Sequence, residues 1–337
     1  MAISLIDYTS LIKNELSLGL YKNLLNMNDV LKLFPVVEVG AFTVQGERWS
    51  TLPSGAFRKL NTDYEESTGT TEPVEDRLAL FGGKFSEDKA YKRVKGKVFR
   101  DPVQVQFDMW TKTIERQITE NIINGDEADD PNGFNGLYQR FSSGDFPASQ
   151  IISYGAGDAK LVLENAASAI LWYEALDELL AAADLFGSAM TNVPKGALLM
   201  NKKTWLGMQK AARLCGFSTS TVDLYGYTWR DYRGIPFVNV GLDRDQSTEI
   251  ITNTYDPGDG GNDSSRIYAV RFTQPDGDVD SPGSDGLTIV QAGGLEKLGP
   301  NDDLTSVEWG LEWLLGIAHV GDDYCAALLD DFEMAAA

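Results

Sequence analysis

The chain has 337 residues, with 29 Lys and Arg against 50 Asp and Glu, for a formal net charge of −21. Its 43% hydrophobic and 23% charged residues suit a globular protein and not a disordered one. The length exceeds the ~250–300 residues at which one core stops growing, so two sub-domains are expected. The charge opposes nucleic-acid phosphates and anionic membranes alike.

The opening MAISLIDYTS has no cationic start and no long apolar run, so no signal peptide is expected and the product is placed in the cytoplasm. Residues 10–33 carry a helix-like spacing (Leu11, Leu16, Leu20, Leu24) that Pro35 closes. From 35 to 57 the pattern turns to period two through Val37, Val39, Phe42, Val44 and Trp49, which reads as extended chain. The polar run 61–76 has the composition of an exposed loop tip. The return, 84–100, gathers seven cations against Glu87 and Asp88. Residues 45–99 therefore read as a long two-stranded arm with one cationic face and little apolar surface. Such a hairpin is marginal alone. It either stands solvated or rests on an acidic surface, of its own body or of another copy.

Asp101-Pro102 reads as N-cap and first helical position. Val103, Phe107, Trp110, Ile114, Ile118 and Ile122 then form one apolar stripe that Gly125 ends, a helix of about 35 Å. A turn-rich segment with the block Asn132-Gly133-Phe134-Asn135-Gly136-Leu137 follows. A second helix is expected over 159–186, a buried strand at 196–200, and a third helix over 202–214. Arg233-Gly234 marks a hairpin. Strands are expected at 267–273 and 287–292, then one long extended run over 305–320 and a last segment over 326–332.

Chemistry-bearing residues are scarce. The one histidine, His319, lies in the apolar run 311–320, which Glu312 and Gly316 also interrupt and which is too short to span a bilayer. It reads as a core residue and not a catalyst. Cys215 and Cys325 have no metal-ligand spacing and read as small buried hydrophobes. Residues 151–168, with Gly155 and Gly157 and a helix opened by Asp158, begin like a dinucleotide site. However, Lys160 stands where a third glycine belongs, and the acidic residues Asp177 and Glu178 fall inside a helix. The acidic loops 256–263 and 276–285 suggest calcium through Asp276, Asp278 and Asp280, but Ser281 and Leu287 occupy the positions of the loop glycine and the bidentate glutamate. Plain turns explain all three segments better, so no catalytic, cofactor or metal residue is assigned.

This order of elements resembles the major capsid protein family of tailed phages, whose fold is shared with herpesvirus capsid floors and encapsulin shells. The likeness rests on DPVQVQFDMWTKTIERQITENIINGD, on PNGFNGLYQRF behind it, on GYTWRDYRGIPFVNVG, and on the late IYAVRF and LTIVQAGGLEKLG strands. It implies an α+β fold with an N-terminal arm (1–44), an extended hairpin loop (45–99), a peripheral domain with the spine helix (100–150 and 296–337), and an axial domain with a central sheet (151–295). It also implies that the hairpin lies over a neighbouring subunit, making Arg48, Lys92, Arg93, Lys95 and Lys97 inter-subunit contacts. Gly125, Gly133 and Gly136 are the candidate hinges. The implied function is a non-enzymatic, self-assembling subunit of hexamers and pentamers in an icosahedral virion shell around double-stranded DNA. Separate scaffolding, portal and decoration proteins are possible partners. Two rival readings stay open: an encapsulin-type compartment, and an acidic cytosolic nucleotide-binding α/β enzyme.

Overall fold

The computed structural model describes residues 3–4, 29–89, 102–153, 161–185, 195–217, 220–224, 227–252, 265–273, 286–320 and 323–333. Fifteen strands and five α-helices occur among them, in an α+β arrangement. The strands are β1 (Ile3–Ser4), β2 (Pro35–Glu38), β3 (Thr43–Thr51), β4 (Thr70–Arg77), β5 (Ala79–Asp88), β6 (Ile151–Ile152), β7 (Leu161–Val162), β8 (Gly196–Met200), β9 (Ser220–Leu224), β10 (Tyr227–Tyr232), β11 (Ile235–Asn239), β12 (Ser265–Arg271), β13 (Gly286–Asp302), β14 (Ser306–Val320) and β15 (Ala326–Glu333). The helices are α1 (Asp29–Leu33), α2 (Pro102–Asn124), α3 (Leu137–Ser143), α4 (Ala166–Ala182) and α5 (Lys202–Cys215).

Three sheets result. The first has five strands in the order β1-β2-β13-β14-β5, and the second has eight, running β6-β15-β12-β8-β11-β10-β9 with β7 added beside β15. The third is only the antiparallel pair β3-β4. In the eight-stranded sheet all five residues of β8 are buried, as expected of a strand covered on both faces. Period two sends Leu198 and Met200 toward α4 and α5, and Ala197 and Leu199 into the core shared with the spine helix α2.

Local signals explain several boundaries. Helix α2 begins at Pro102, and its stripe buries Ile114, Ile118 and Ile122, each at most 3% exposed. Asp101, the expected cap, lies outside the described residues. The turn between β10 and β11 places Arg233 at φ 52° and Gly234 at φ 84°, the left-handed pair that a two-residue hairpin requires. Helix α5 opens at Asn201, whose Oδ1 accepts from Thr204 N at 2.7 Å, and stops at Gly216 with φ 68°.

Some pairings depart from the sequence expectation. The arm closes earlier than 45–99 implied: β3 pairs with β4, from Thr43↔Arg77 to Thr51↔Thr70. The returning chain then leaves the arm, and β5 pairs with β14 from Ala79↔Leu315 to Asp88↔Ser306. Strand β13 runs beside β14 in the five-stranded sheet. Strand β15 joins β12 in the eight-stranded sheet. Helix α4 starts at Ala166 and not near 159, because Asn165 and Ser168 form a capping box there. Upstream, β7 is drawn off to pair with Phe332 and Glu333. Alternation predicts that a segment is extended; which strand satisfies its backbone is settled by distant chain.

Candidate functional site

The arm is the part of the molecule with no internal reason to project. All of residues 51–73 are exposed. At its tip Leu52, Phe57, Leu60 and Tyr64 range from 69% (Tyr64) to 109% (Phe57) exposed. The tip nevertheless has a defined shape. Ser54 N donates to Ser67 Oγ at 2.8 Å, Arg58 Nη1 donates to the Thr62 carbonyl at 2.9 Å, and the Arg58 guanidinium lies 5.1 Å from the Tyr64 ring centre. A shaped loop presenting four large apolar side chains to water has the character of a contact surface.

Residues 43–77 hold four cations and seven carboxylates. Arg48 sits opposite Glu72 in the β3-β4 register. Lys92, Arg93, Lys95 and Lys97 lie outside the described residues. The described end of that segment is tied to its own chain: Lys89 Nζ is 3.7 Å from Asp302 Oδ1 and also donates to the Asp303 carbonyl.

The arm's root is built quite differently. Asp76 is the one buried residue of β4, and Arg140 of α3 is buried beside it. Arg140 Nη2 donates to Asp76 Oδ1 at 2.6 Å and to the Ile317 carbonyl at 3.0 Å, while its Nε donates to the Asn135 carbonyl at 3.3 Å. The second carboxylate oxygen, Oδ2, accepts from His319 N at 2.9 Å. The His319 ring packs 5.4 Å from Phe146, so the lone histidine is a buried neighbour of the ion pair, as a core residue should be. Just beside it, a Cβ on Gly316 would stand 2.6 Å from the Arg77 carbonyl, so the arm crosses β14 where no side chain fits.

Helix α3 is joined to the spine through Gly125 and Gly136. Gly136 N donates to the Gly125 carbonyl at 2.8 Å, and a Cβ on either glycine would lie 2.5 Å from the Asn121 carbonyl. Gly133 is roomier, with 3.3 Å to the Asp130 carbonyl. On the other side of the spine, Arg116 Nη1 donates to the Asp243 carbonyl at 3.2 Å and Asn124 Nδ2 to the Ile250 carbonyl at 2.9 Å. Burial there pushes the Glu115 carboxyl up to about 7, with Asp29 adding to the rise and Arg116, Lys112 and Lys32 opposing it. Glu120 is raised as well, by burial and then by Asp243.

A shallow groove of about 370 Å³ crosses the five-stranded sheet, where Gly82, Gly83 and Gly310 leave space between Leu80, Leu298 and Trp309. Among the described residues no group of three or more His, Cys, Asp or Glu side chains could hold a metal ion, and no helix is long and apolar enough to cross a membrane. Gly155, Gly157 and Asp158, like the loops 256–263 and 276–285, lie outside the described residues. Sequence reading missed Asp76, Arg140 and the apolar tip. The available signals were an aspartate at an inward position of a period-two strand, an arginine between Leu137 and Phe141 of a short helix, and the apolar pair in PSGAFRKLN.

Residues 20–164 match the family model described as major capsid protein GP7. No curated protein sequence matches the chain. Among solved structures it is similar to a chain of the holo-SrpI encapsulin complex from Synechococcus elongatus, with TM-score 0.58 and 14% identity over 90% of this chain and 87% of that one. It is similar to the capsid of an empty GTA particle, with TM-score 0.58 and 15% identity over 91% and 90%. A structure from Microbacterium phage Oxtober96 gives TM-score 0.55 and 10% identity over 90% of each chain. The likeness to these structures carries the fold across nearly the whole length, and residues 20–164, which include the arm and the spine, match the major capsid protein GP7 family model.

Proposed function

We propose that this shell protein is a virion subunit that assembles, without catalysing a reaction, into hexamers and pentamers of an icosahedral shell around double-stranded DNA. The observation that carries the proposal is the match of residues 20–164 to major capsid protein GP7, which spans both the arm and the spine helix. Physically, closed symmetry needs many moderate contacts and not one strong one, each near the ~1,600 Å² of a standard interface. The arm, with its apolar tip and no core of its own, is the natural source of one such contact. Its hairpin is 43–77; the five-stranded sheet and spine form the peripheral part and the eight-stranded sheet the axial part. Arg48, Lys92, Arg93, Lys95 and Lys97 are proposed as contacts with acidic neighbours. Charge reversal of all five with shells of unchanged yield and salt resistance would remove them from that role. Gly125, Gly133 and Gly136 are proposed to absorb small differences between subunit environments. A net charge of −21 suits a wall that contains DNA without gripping it. Assembly in the host cytoplasm, with separate scaffolding, portal and decoration proteins, completes the proposal.

Electron microscopy of the purified protein tests this reading. Closed shells, rings of five or six, or tubes are expected; a monodisperse monomer or dimer across protein and salt concentrations would defeat it. The encapsulin likeness favours one second reading, a compartment around a protein cargo. Particles purified from producing cells separate the two, through nuclease-protected DNA or a co-purifying protein.

A further inference from the structure

We infer that Asp76 and Arg140 form a clamp that sets the direction in which the arm leaves the body, and that shell closure depends on this direction. The inference rests on the shell-subunit reading for its consequence, but the clamp itself rests on geometry.

Strand β4 gives the arm only one buried side chain, and that side chain is a carboxylate. A buried charge is costly unless it is paired and its remaining lone pairs are used. Here both oxygens are used, one on Arg140 and the other on the main-chain N–H of His319. The arginine in turn is held by two carbonyls, Ile317 on β14 and Asn135 before α3. Three separate parts of the chain therefore meet at one carboxylate: the arm, the helix tied to the spine by Gly125 and Gly136, and the long strand β14.

The other adhesion at the root is apolar and small. Leu78, Val290 and Ala318 form its buried part, with Val44 of β3 and Val37 of β2 packed against them. Apolar contact resists separation but has little directional preference. Hydrogen bonds from a planar guanidinium to a carboxylate are directional. Rotating the arm about its root would keep most of the apolar area buried while breaking bonds at 2.6 Å and 2.9 Å. Asp76 and Arg140 thus act as positioning residues for the exposed tip, which lies at the far end of a two-stranded lever and turns a small change of angle into a large displacement.

The decisive variant removes the charges without leaving one stranded. Asp76→Val with Arg140→Met replaces the pair by apolar side chains, an exchange that commonly leaves stability unchanged or raised. Spin labels at Thr68→Cys on the arm and Lys203→Cys on α5, in a Cys215→Ala background diluted with unlabelled chain, read the arm's direction as an intramolecular distance distribution. The expected result is a thermal midpoint near that of the parent, a distribution at least about twofold wider, and open or irregular particles in place of closed shells. An unchanged distribution would overturn the clamp. A widened distribution with normal closed shells would overturn its role in closure. If the double variant fails to fold, Arg140→Lys, which keeps the charge but not the fork, is read by the same labels under the same criteria. Should the parent protein itself form no particles, the shell reading fails while the distances still decide the clamp.

Discussion

Strands β8 and β4 show how differently two parts of one chain can be held. In β8 all five residues are buried, and its neighbours cover both faces. In β4 one residue of eight is buried, and it is an aspartate. The first strand is stabilised by area removed from water, spread over many side chains, so its geometry is over-determined. The second owes its position to a few directional bonds at one end. The body buries two large apolar clusters, whereas the arm leaves its apolar tip exposed.

Several substitutions probe that contrast. Trp313→Ala should have the largest effect: the side chain is fully buried and its Nε1 donates to Gln291 Oε1 at 3.0 Å, so a loss of roughly 3–5 kcal/mol is expected in urea unfolding. A loss below about 1 kcal/mol would mean the five-stranded sheet is not part of the cooperative body. Asp76→Asn, which strands the Arg140 charge, should cost about 3 kcal/mol by the same measurement. If it costs nothing, the arm root is held by its apolar contacts alone.

Gly136→Ala brings a methyl group against backbone at 2.5 Å and should cost about 1–3 kcal/mol, whereas Gly133→Ala should be close to neutral. Equal costs at the two positions would contradict the close backbone packing between α2 and α3 at Gly136.

The pH dependence is a finer test. Glu115 has its folded pKa raised to about 7 from 4.5, so the folded state holds the proton more tightly than the unfolded chain. Its contribution is fully present below pH 4.5 and is lost as pH rises to about 7. Glu115→Gln should therefore be more stable than the parent at pH 8 by about 1 kcal/mol after screening, with the advantage gone near pH 4.5. Parallel stability curves for the two proteins would refute the burial of this carboxyl against the 240–246 loop.

Smallest in stability, and sharpest in meaning, is Phe57→Ala with Leu60→Ala at the tip. Unfolding should shift by less than about 0.5 kcal/mol because both side chains are exposed, yet particle yield should fall. Unfolding and particle yield falling together would show that the tip packs on its own body and not on another copy.

Much of the α+β outline is local and could be read directly. The spine helix follows from apolar spacing opened by Pro102 and closed by Gly125, α5 from Asn201 and Gly216, and the 233–234 turn from an Arg-Gly pair between alternating strands. The resemblance to capsid subunits was legible because it lay in the order of such elements. The site was less legible. A cluster of cations is visible in composition, but Asp76 looks like any other carboxylate in TTEPVEDR until β14 and α3 are placed around it.

By itself, then, the sequence determined the spine helix, α5, the 233–234 turn and the late strands, and that the chain is net acidic. Only the tertiary structure decided that β5 leaves the arm for β14, that β15 crosses to the other sheet, and that an aspartate and an arginine 64 residues apart share one buried bond. The physical reason is range. Helix caps, turns and alternation are set by neighbours a few residues away, whereas strand partners and buried charges are satisfied by whatever distant chain the fold brings to them.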